Sequence, residues 1–255
     1  DHRDLHSFPT RRSSDLWFAG AGDDRGNVSA QRSGEHPSVI CADGEVVVAI
    51  SSLEQMAALV QHAELYANAT QLKFRHTGVT DEAFGTLPAL PAVQVVVIRE
   101  ESSVTDKSLR TLARFPKLQA LLLEGTAITG KGFQWFVAKE GGEQAKPPLD
   151  EILLAGNKVT DEGLRELARI ATLRRVFISR EPHITAQGAI EHLPVLEGLG
   201  HLVISFGPKH KWTDEQRRRL CERMPRCEVG FGEEISDGLR DGSEVDSDAR
   251  RTGTR

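Results

Sequence analysis

Residues 149–168 read LDEILLAGNKVTDEGLRELA and contain every part of a repeated unit. Leu149, Ile152 and Leu154 have the spacing L-x-x-L-x-L, which places alternate side chains on one face of a short strand. Thr160 then provides a helix N-cap, and the acidic residue after it suits the positive end of a helix. The apolar residues that follow recur at i, i+3 and i+4, which predicts an amphipathic helix.

The same unit occurs six times between residues 69 and 212. Its first apolar strand position is held by Ala69, Val93, Leu118, Leu149, Leu173 and Leu199, at spacings of 24, 25, 31, 24 and 26 residues. A single unit cannot bury its apolar face, so neighbouring units must stack. The pattern predicts an α/β solenoid: a curved right-handed array with a parallel sheet on the concave side and helices on the convex side.

Two segments resemble a known repeat family. Residues 159–164 (VTDEGL) and 128–133 (ITGKGF) are similar to the leucine-rich repeat variant whose units read V/I-T-D-x-G-L, as found in F-box-type receptors. The resemblance covers roughly residues 45–231. It implies the fold and the recognition of macromolecules in general, and it implies no chemistry.

The two ends of the chain differ from the repeats in composition. Residues 1–16 resemble a translated sequencing adapter, so we exclude them and expect the true N-terminus to be missing. The predicted division is this adapter-derived segment at 1–16, a flexible leader at 17–44, the leucine-rich repeat domain at 45–231 and a disordered tail at 232–255. Within the domain, residues 46–50 are expected to form a first, degenerate unit.

The composition argues against a nucleic-acid partner, and the chain shows no membrane segment. The 255 residues carry a net charge of −5, and aromatic residues make up 5% of them, which is unfavourable for binding phosphates or stacking bases. No stretch approaches the roughly 18 apolar residues of a membrane helix. A lost N-terminal signal or anchor remains an open alternative, and the localisation is otherwise unassigned.

The last unit departs from the repeat at three residues. Cys221 and Cys227 align with buried positions of earlier units, so we expect both to be core residues in a reducing, intracellular compartment. A bridge between them that closes the last unit is the alternative. Arg217 replaces a leucine of the helix stripe, so we expect it to be exposed or its helix to be rotated.

No catalytic motif accompanies the repeats. The chain lacks a G-x-S-x-G elbow, a P-loop, an H-E-x-x-H helix and a G-x-G-x-x-G loop, and its histidines are scattered among the units. We therefore expect no enzyme activity, no catalytic residue, no cofactor and no metal site.

The concave face carries the strongest functional signal. Its predicted central stripe is apolar over five consecutive strands, about 19 Å at the usual spacing, and consists of Val97, Leu122, Leu153, Phe177 and Val203. Its predicted polar border includes Arg99, Glu151, Arg175 and His201. An apolar patch with a polar rim is typical of a protein-binding surface. Cross-strand packing is the alternative explanation, particularly for the valines.

We therefore predict a non-enzymatic scaffold that binds a protein partner on the concave sheet. Two other functions fit the same residues: a docking arm of a larger enzyme or membrane-anchored protein, and a structural array that self-associates into a homodimer. The Gly/Pro-bounded segment 139–148 is expected to be a surface loop, either an auxiliary site or a tolerated insertion.

Overall fold

The computed structural model describes Gly34 and residues 36–42, 44–137, 146–206 and 211–232, all within one compact unit, Asn27–Glu234. The described strands are β1 (Ser38–Ala42), β2 (Glu45–Ile50), β3 (Gln71–Arg75), β4 (Val95–Arg99), β5 (Ala120–Glu124), β6 (Glu151–Ala155), β7 (Arg175–Ser179), β8 (His201–Ser205) and β9 (Glu228–Phe231). The adapter-like segment, most of the predicted leader and tail, and residues 139–145 of the predicted 139–148 loop lie outside the described residues.

A helix follows most of these strands. The α-helices are α1 (Leu53–Gln61), α2 (Asp81–Thr86), α3 (Asp106–Leu112), α4 (Asp161–Leu167), α5 (Ala186–His192) and α6 (Asp214–Arg223), and Ala63–Tyr66, Lys131–Phe136 and Leu193–Val195 form 3₁₀ helices. The helix predicted after β5 is therefore a 3₁₀ helix. It begins after Gly130, whose φ of 93° is left-handed.

The strands form one sheet in chain order, from β1 to β9. Strands β2 to β9 pair in parallel, and β1 pairs with β2 in antiparallel fashion. Alternate residues divide between the two faces, so Leu121 and Leu123 are fully buried between the sheet and the helices. The predicted α/β repeat fold is confirmed by this arrangement.

One apolar core runs through all the units, from Val48 in β2 to Met224 after α6. Helix residues such as Leu109 and Leu164 pack against the inward strand residues, and both are fully buried. Because each unit shares its core with the next, the stack buries apolar surface that no unit could bury alone.

The predicted threonine caps are present in five of the described helices. The side-chain oxygens of Thr80, Thr105, Thr160, Thr185 and Thr213 accept hydrogen bonds from backbone N–H groups in the first turn. Thr129 differs, because Gly130 occupies the cap position and no side chain caps that helix, although the Thr129 hydroxyl still donates to Asp106 Oδ2 at 2.6 Å.

The aspartate after the capping threonine links adjacent units, a role that the sequence analysis did not assign to it. Asp81 accepts hydrogen bonds from the N–H and hydroxyl of Thr105 at 2.9 and 2.6 Å and from the Ser108 hydroxyl at 2.6 Å. Asp161 accepts the corresponding pair from Thr185, both at 2.8 Å. Each aspartate therefore joins its own helix to the N-terminus of the next helix along the array.

The glycine of the T-D-x-G-L motif allows adjacent units to approach closely. A Cβ on Gly163 would lie 2.1 Å from the carbonyl oxygen of Thr129, and one on Gly188 would lie 2.1 Å from Asp161 Oδ1. Both distances are shorter than any normal contact, so a larger residue at 163 would push the backbones of two units apart, and one at 188 would displace the Asp161 carboxylate.

Two expectations about the ends require correction. Residues 38–42, assigned to the flexible leader, form β1, because Gly44 with φ 83° closes a tight turn and Ala42 pairs with Glu45. At the other end, Cys221 is exposed rather than buried, since it lies on the outer side of α6. Cys227 is partly buried against the core, and both thiols are free.

Arg217 is neither fully exposed nor displaced from its stripe. Its side chain is half-buried, with the guanidinium carbon 5.6 Å from the centre of the Phe231 ring. Trp212 packs edge-on against the same ring, with centroids 5.0 Å apart. A cation–π contact therefore replaces the leucine of earlier units at the end of the core.

Candidate functional site

The predicted stripe forms one row across the sheet face that is opposite the helices. Strand pairing sets Val97 beside Leu122, Leu122 beside Leu153, Leu153 beside Phe177 and Phe177 beside Val203. Lys73 of β3 precedes Val97 in the same row. We call these six residues the central row and the face that carries them the open face.

Only part of the central row is accessible. Val97 and Leu122 have exposed fractions of 7% and 8%, so the expected strip is buried over β4 and β5. Leu153, Phe177 and Val203 are half-buried, and they form the accessible apolar part. Side chains on neighbouring strands cover Val97 and Leu122 more than the alternation of side chains within each strand predicts.

The border row on one side is held together by ion pairs. Arg175 Nε lies 2.5 Å from Glu151 Oε2, and Arg175 Nη2 lies 3.3 Å from Asp150 Oδ2. Glu151 is only 2% exposed, so it supports Arg175 and is not available to a partner, contrary to its predicted role at the rim. Burial raises the pKa of Asp150, as does the adjacent Glu151 carboxylate, while Arg175 opposes the change.

His201 positions the largest side chain of the accessible row. Its ring lies 5.5 Å from the Phe177 ring in a tilted arrangement, and its Nδ1 lies 3.3 Å from Glu228 Oε2. The aromatic contact limits the rotamers that Phe177 can adopt. The predicted neighbours Phe177, Arg175 and His201 are therefore brought together on β7 and β8.

The other border is a charged network that reaches into the loops after the strands. Arg99 Nε lies 3.3 Å from Glu124 Oε2, and Arg180 Nη2 lies 3.0 Å from the other oxygen of the same carboxylate. Glu100 is paired with His76 and lies 3.9 Å from Arg75 Nε. Of this network, only Arg99 was among the predicted site residues.

Three residues of this network have left-handed backbones. His76, Glu100 and Arg180 have φ values of 52°, 57° and 54°, and the equivalent positions after β5 and β6 are glycines. A residue other than glycine carries a steric cost there. Gly125 and Gly156, each one residue after a strand, are the sequence signal that could have located this row.

A buried polar ladder supports these loops. Asn157 accepts hydrogen bonds from the N–H and hydroxyl of Thr126 at 3.0 and 2.7 Å and donates from Nδ2 to Glu181 Oε1 at 2.7 Å. Glu181 Oε2 accepts the Val159 N–H at 3.2 Å. Burial raises the pKa of Glu181, although these N–H donors act in the opposite direction. The ladder fixes the loop path beside the open face.

Neither a metal-binding cluster nor a membrane-spanning helix is present among the described residues. Within the described residues, no group of three or more histidine, cysteine or acidic side chains could hold a metal ion. No helix in the same part of the chain has the length and apolar character needed to cross a membrane. The groups that the open face offers are apolar side chains and paired charges.

Comparisons with known proteins find similarity between this chain and solved structures. No family model and no curated protein matches the chain. Among solved structures, 38 chains match, including one in the crystal structure of the Rad7 and Elc1 complex in yeast, with a TM-score of 0.49 and 18% identity. That match covers 69% of this chain and 47% of the other, so the chain spans about half the length of its structural neighbour.

Proposed function

We propose that this chain is a non-enzymatic recognition scaffold that binds a protein partner on the open face of its sheet. The observation that carries the proposal is the row formed by Leu153, Phe177 and Val203. These three apolar side chains lie on adjacent strands, remain partly accessible, and point away from the core. Removing such a row from water would favour association.

The borders of the row suit a specific interface. Arg175 and His201 stand on one side and are held in place by acidic partners, while Ser179 and Ser205 stand on the other. The Ser205 hydroxyl donates to Ser179 Oγ at 3.1 Å, so both are ordered. An apolar centre with polar, ordered edges is the usual anatomy of a protein interface. Aromatic and arginine side chains such as Phe177 and Arg175 are frequent anchors in such interfaces.

The experiment compares two matched substitutions in the full chain. Phe177→Glu places a charge in the centre of the accessible row, whereas Leu65→Glu makes the same change at a residue that is 70% exposed in the 3₁₀ helix Ala63–Tyr66. Proteins retained from a lysate of the source organism are identified by quantitative mass spectrometry and then purified for a direct binding measurement. Circular dichroism and thermal unfolding confirm that both variants fold.

We expect at least one purified protein to bind wild type and the Leu65→Glu variant equally and to bind the Phe177→Glu variant at least about tenfold more weakly. A partner that binds all three chains equally would place the interface elsewhere and contradict the proposal. Light scattering on the same samples distinguishes binding of a partner from self-association. If the open face formed a homodimer, Phe177→Glu would convert dimers to monomers without any second protein.

A further inference from the structure

The basic end of the central row differs from the rest of the open face. Lys73 is half-buried between Ala49 and Val97 on the neighbouring strands. Within the described residues, its ammonium group makes no ion pair and no hydrogen bond. Partly burying a charge without a counter-charge is unfavourable, so the group is a receptive position for an anion.

The charges around Lys73 strengthen this conclusion. Arg75 lies two residues after Lys73 on β3 and on the same face of the sheet. Arg99, which pairs with Arg75, is the diagonal neighbour of Lys73 on β4. Partial burial, together with the positive charge of Arg99, holds the pKa of Lys73 below its ordinary value, while Glu45 opposes the change. Arg99 itself is paired with Glu124. Arg75 and Arg99 thus have acidic neighbours in Glu100 and Glu124, whereas Lys73 has no ion pair among the described residues.

We infer that the protein partner presents an acidic side chain to Lys73 and apolar side chains to Leu153 and Phe177, as one segment that crosses the strands along the central row. This inference rests on the proposed function and specifies the chemistry of its partner. A carboxylate at Lys73 would supply the missing counter-charge. Val97 and Leu122 would form the buried floor between the two anchoring ends.

The strand order sets the spacing of the partner's residues. Leu153 is three strands from Lys73 and Phe177 is four strands from it. At about 4.8 Å per strand, these separations are about 14 and 19 Å. An extended segment advances about 3.3 Å per residue, so its acidic residue lies about four to six positions from its apolar residues.

The test uses a phage-displayed library of random dodecapeptides as the probe. The library is selected in parallel on the full wild-type chain and on its Lys73→Glu and Phe177→Glu variants. Peptides selected on wild type should carry aspartate or glutamate about four to six positions from leucine, methionine or phenylalanine. Peptides selected on Lys73→Glu should carry lysine or arginine at the acidic position instead.

Affinities of the best wild-type peptide then separate charge from packing. Binding should weaken at least about tenfold with Lys73→Glu and with Lys73→Met, which retains the aliphatic stem, and should be unchanged with Lys107→Glu on the exposed side of α3. Added salt should weaken binding to wild type more than binding to Lys73→Met.

The outcomes distinguish the two proposals. Peptides that require Phe177, show no acidic preference and bind Lys73→Met normally would overturn the inference while supporting the open face as the binding surface. Peptides that bind all variants equally, or a library that yields no binder, would count against the proposed function itself.

Discussion

The aspartates that link adjacent units should contribute to stability in proportion to the hydrogen bonds they accept. Asp106 accepts four: from the N–H and hydroxyl of Thr129 at 3.0 and 2.6 Å, from the Gly130 N–H at 3.0 Å and from the Gly132 N–H at 2.8 Å. Replacing it with alanine leaves those donors without their acceptor, and the two glycines are buried. Asp106→Ala should therefore be the most damaging of the aspartate substitutions.

A magnitude follows from the number and burial of these bonds. A hydrogen bond of this kind contributes about 1 kcal/mol net, so Asp106→Ala should lower the free energy of unfolding by about 4 kcal/mol. Asp81 accepts three bonds, which predicts a loss of about 3 kcal/mol. Asp161 accepts two, at a more exposed threonine, which predicts a loss of about 1–2 kcal/mol.

Asp214 is the matched control. It occupies the first position of α6, as the other three do in their helices, and no described residue donates a hydrogen bond to its carboxylate. Asp214→Ala therefore measures the helix-end contribution alone, about 0.3–1 kcal/mol. Urea unfolding of all four variants, followed by circular dichroism and tryptophan fluorescence, gives the free energies where both probes agree. Equal losses at Asp106, Asp161 and Asp214 would refute the reasoning.

Three further outcomes are expected. Gly163→Ala brings a methyl group within 2.1 Å of a neighbouring carbonyl oxygen and should cost about 2–3 kcal/mol in urea unfolding, whereas Gly85→Ala has open space and should be neutral or stabilising. The pKa of Glu181 is higher in the folded state than its ordinary 4.5. Its contribution to stability is therefore fully present below pH 4.5 and is lost as the pH rises through the folded-state pKa. Glu181→Gln should therefore gain stability relative to wild type from pH 4.5 upward, and a flat difference would contradict this. Burial raises the pKa of Cys227 to about 11, so at pH 8 about one thiol in a thousand is ionised and a disulfide reagent should label exposed Cys41 well before it.

The repeat could be predicted because its spacing expresses simple geometry. A strand alternates its side chains every two residues and a helix repeats every 3.6, so the L-x-x-L-x-L run and the stripe around Leu164 each indicate one element. Thr160 at the junction marked the helix start in the same way. The lateral alignment of the open face also followed, since parallel strands in consecutive units must pair in register.

The accessible surface could not be predicted from the same spacing. Val97, Leu122 and Phe177 have equivalent positions in their units, yet only Phe177 remains partly exposed. Side-chain exposure depends on neighbours from other strands, which lie about two dozen residues away in the chain. Glu151 was placed at the rim for the same reason, although its carboxylate is buried beneath Arg175.

By itself, the sequence determined the order of strands and helices from β2 to β9, the threonine caps of five helices and the row of apolar residues, because these follow from local periodicity and capping chemistry. The tertiary structure alone decided the aspartate links, the glycine contacts between units and the pairing of each charged residue. Those features join groups from different units, and their energies depend on distances of a few ångströms that no local pattern contains. The unpaired ammonium of Lys73 likewise follows from the tertiary structure, which sets its neighbours on β2 and β4.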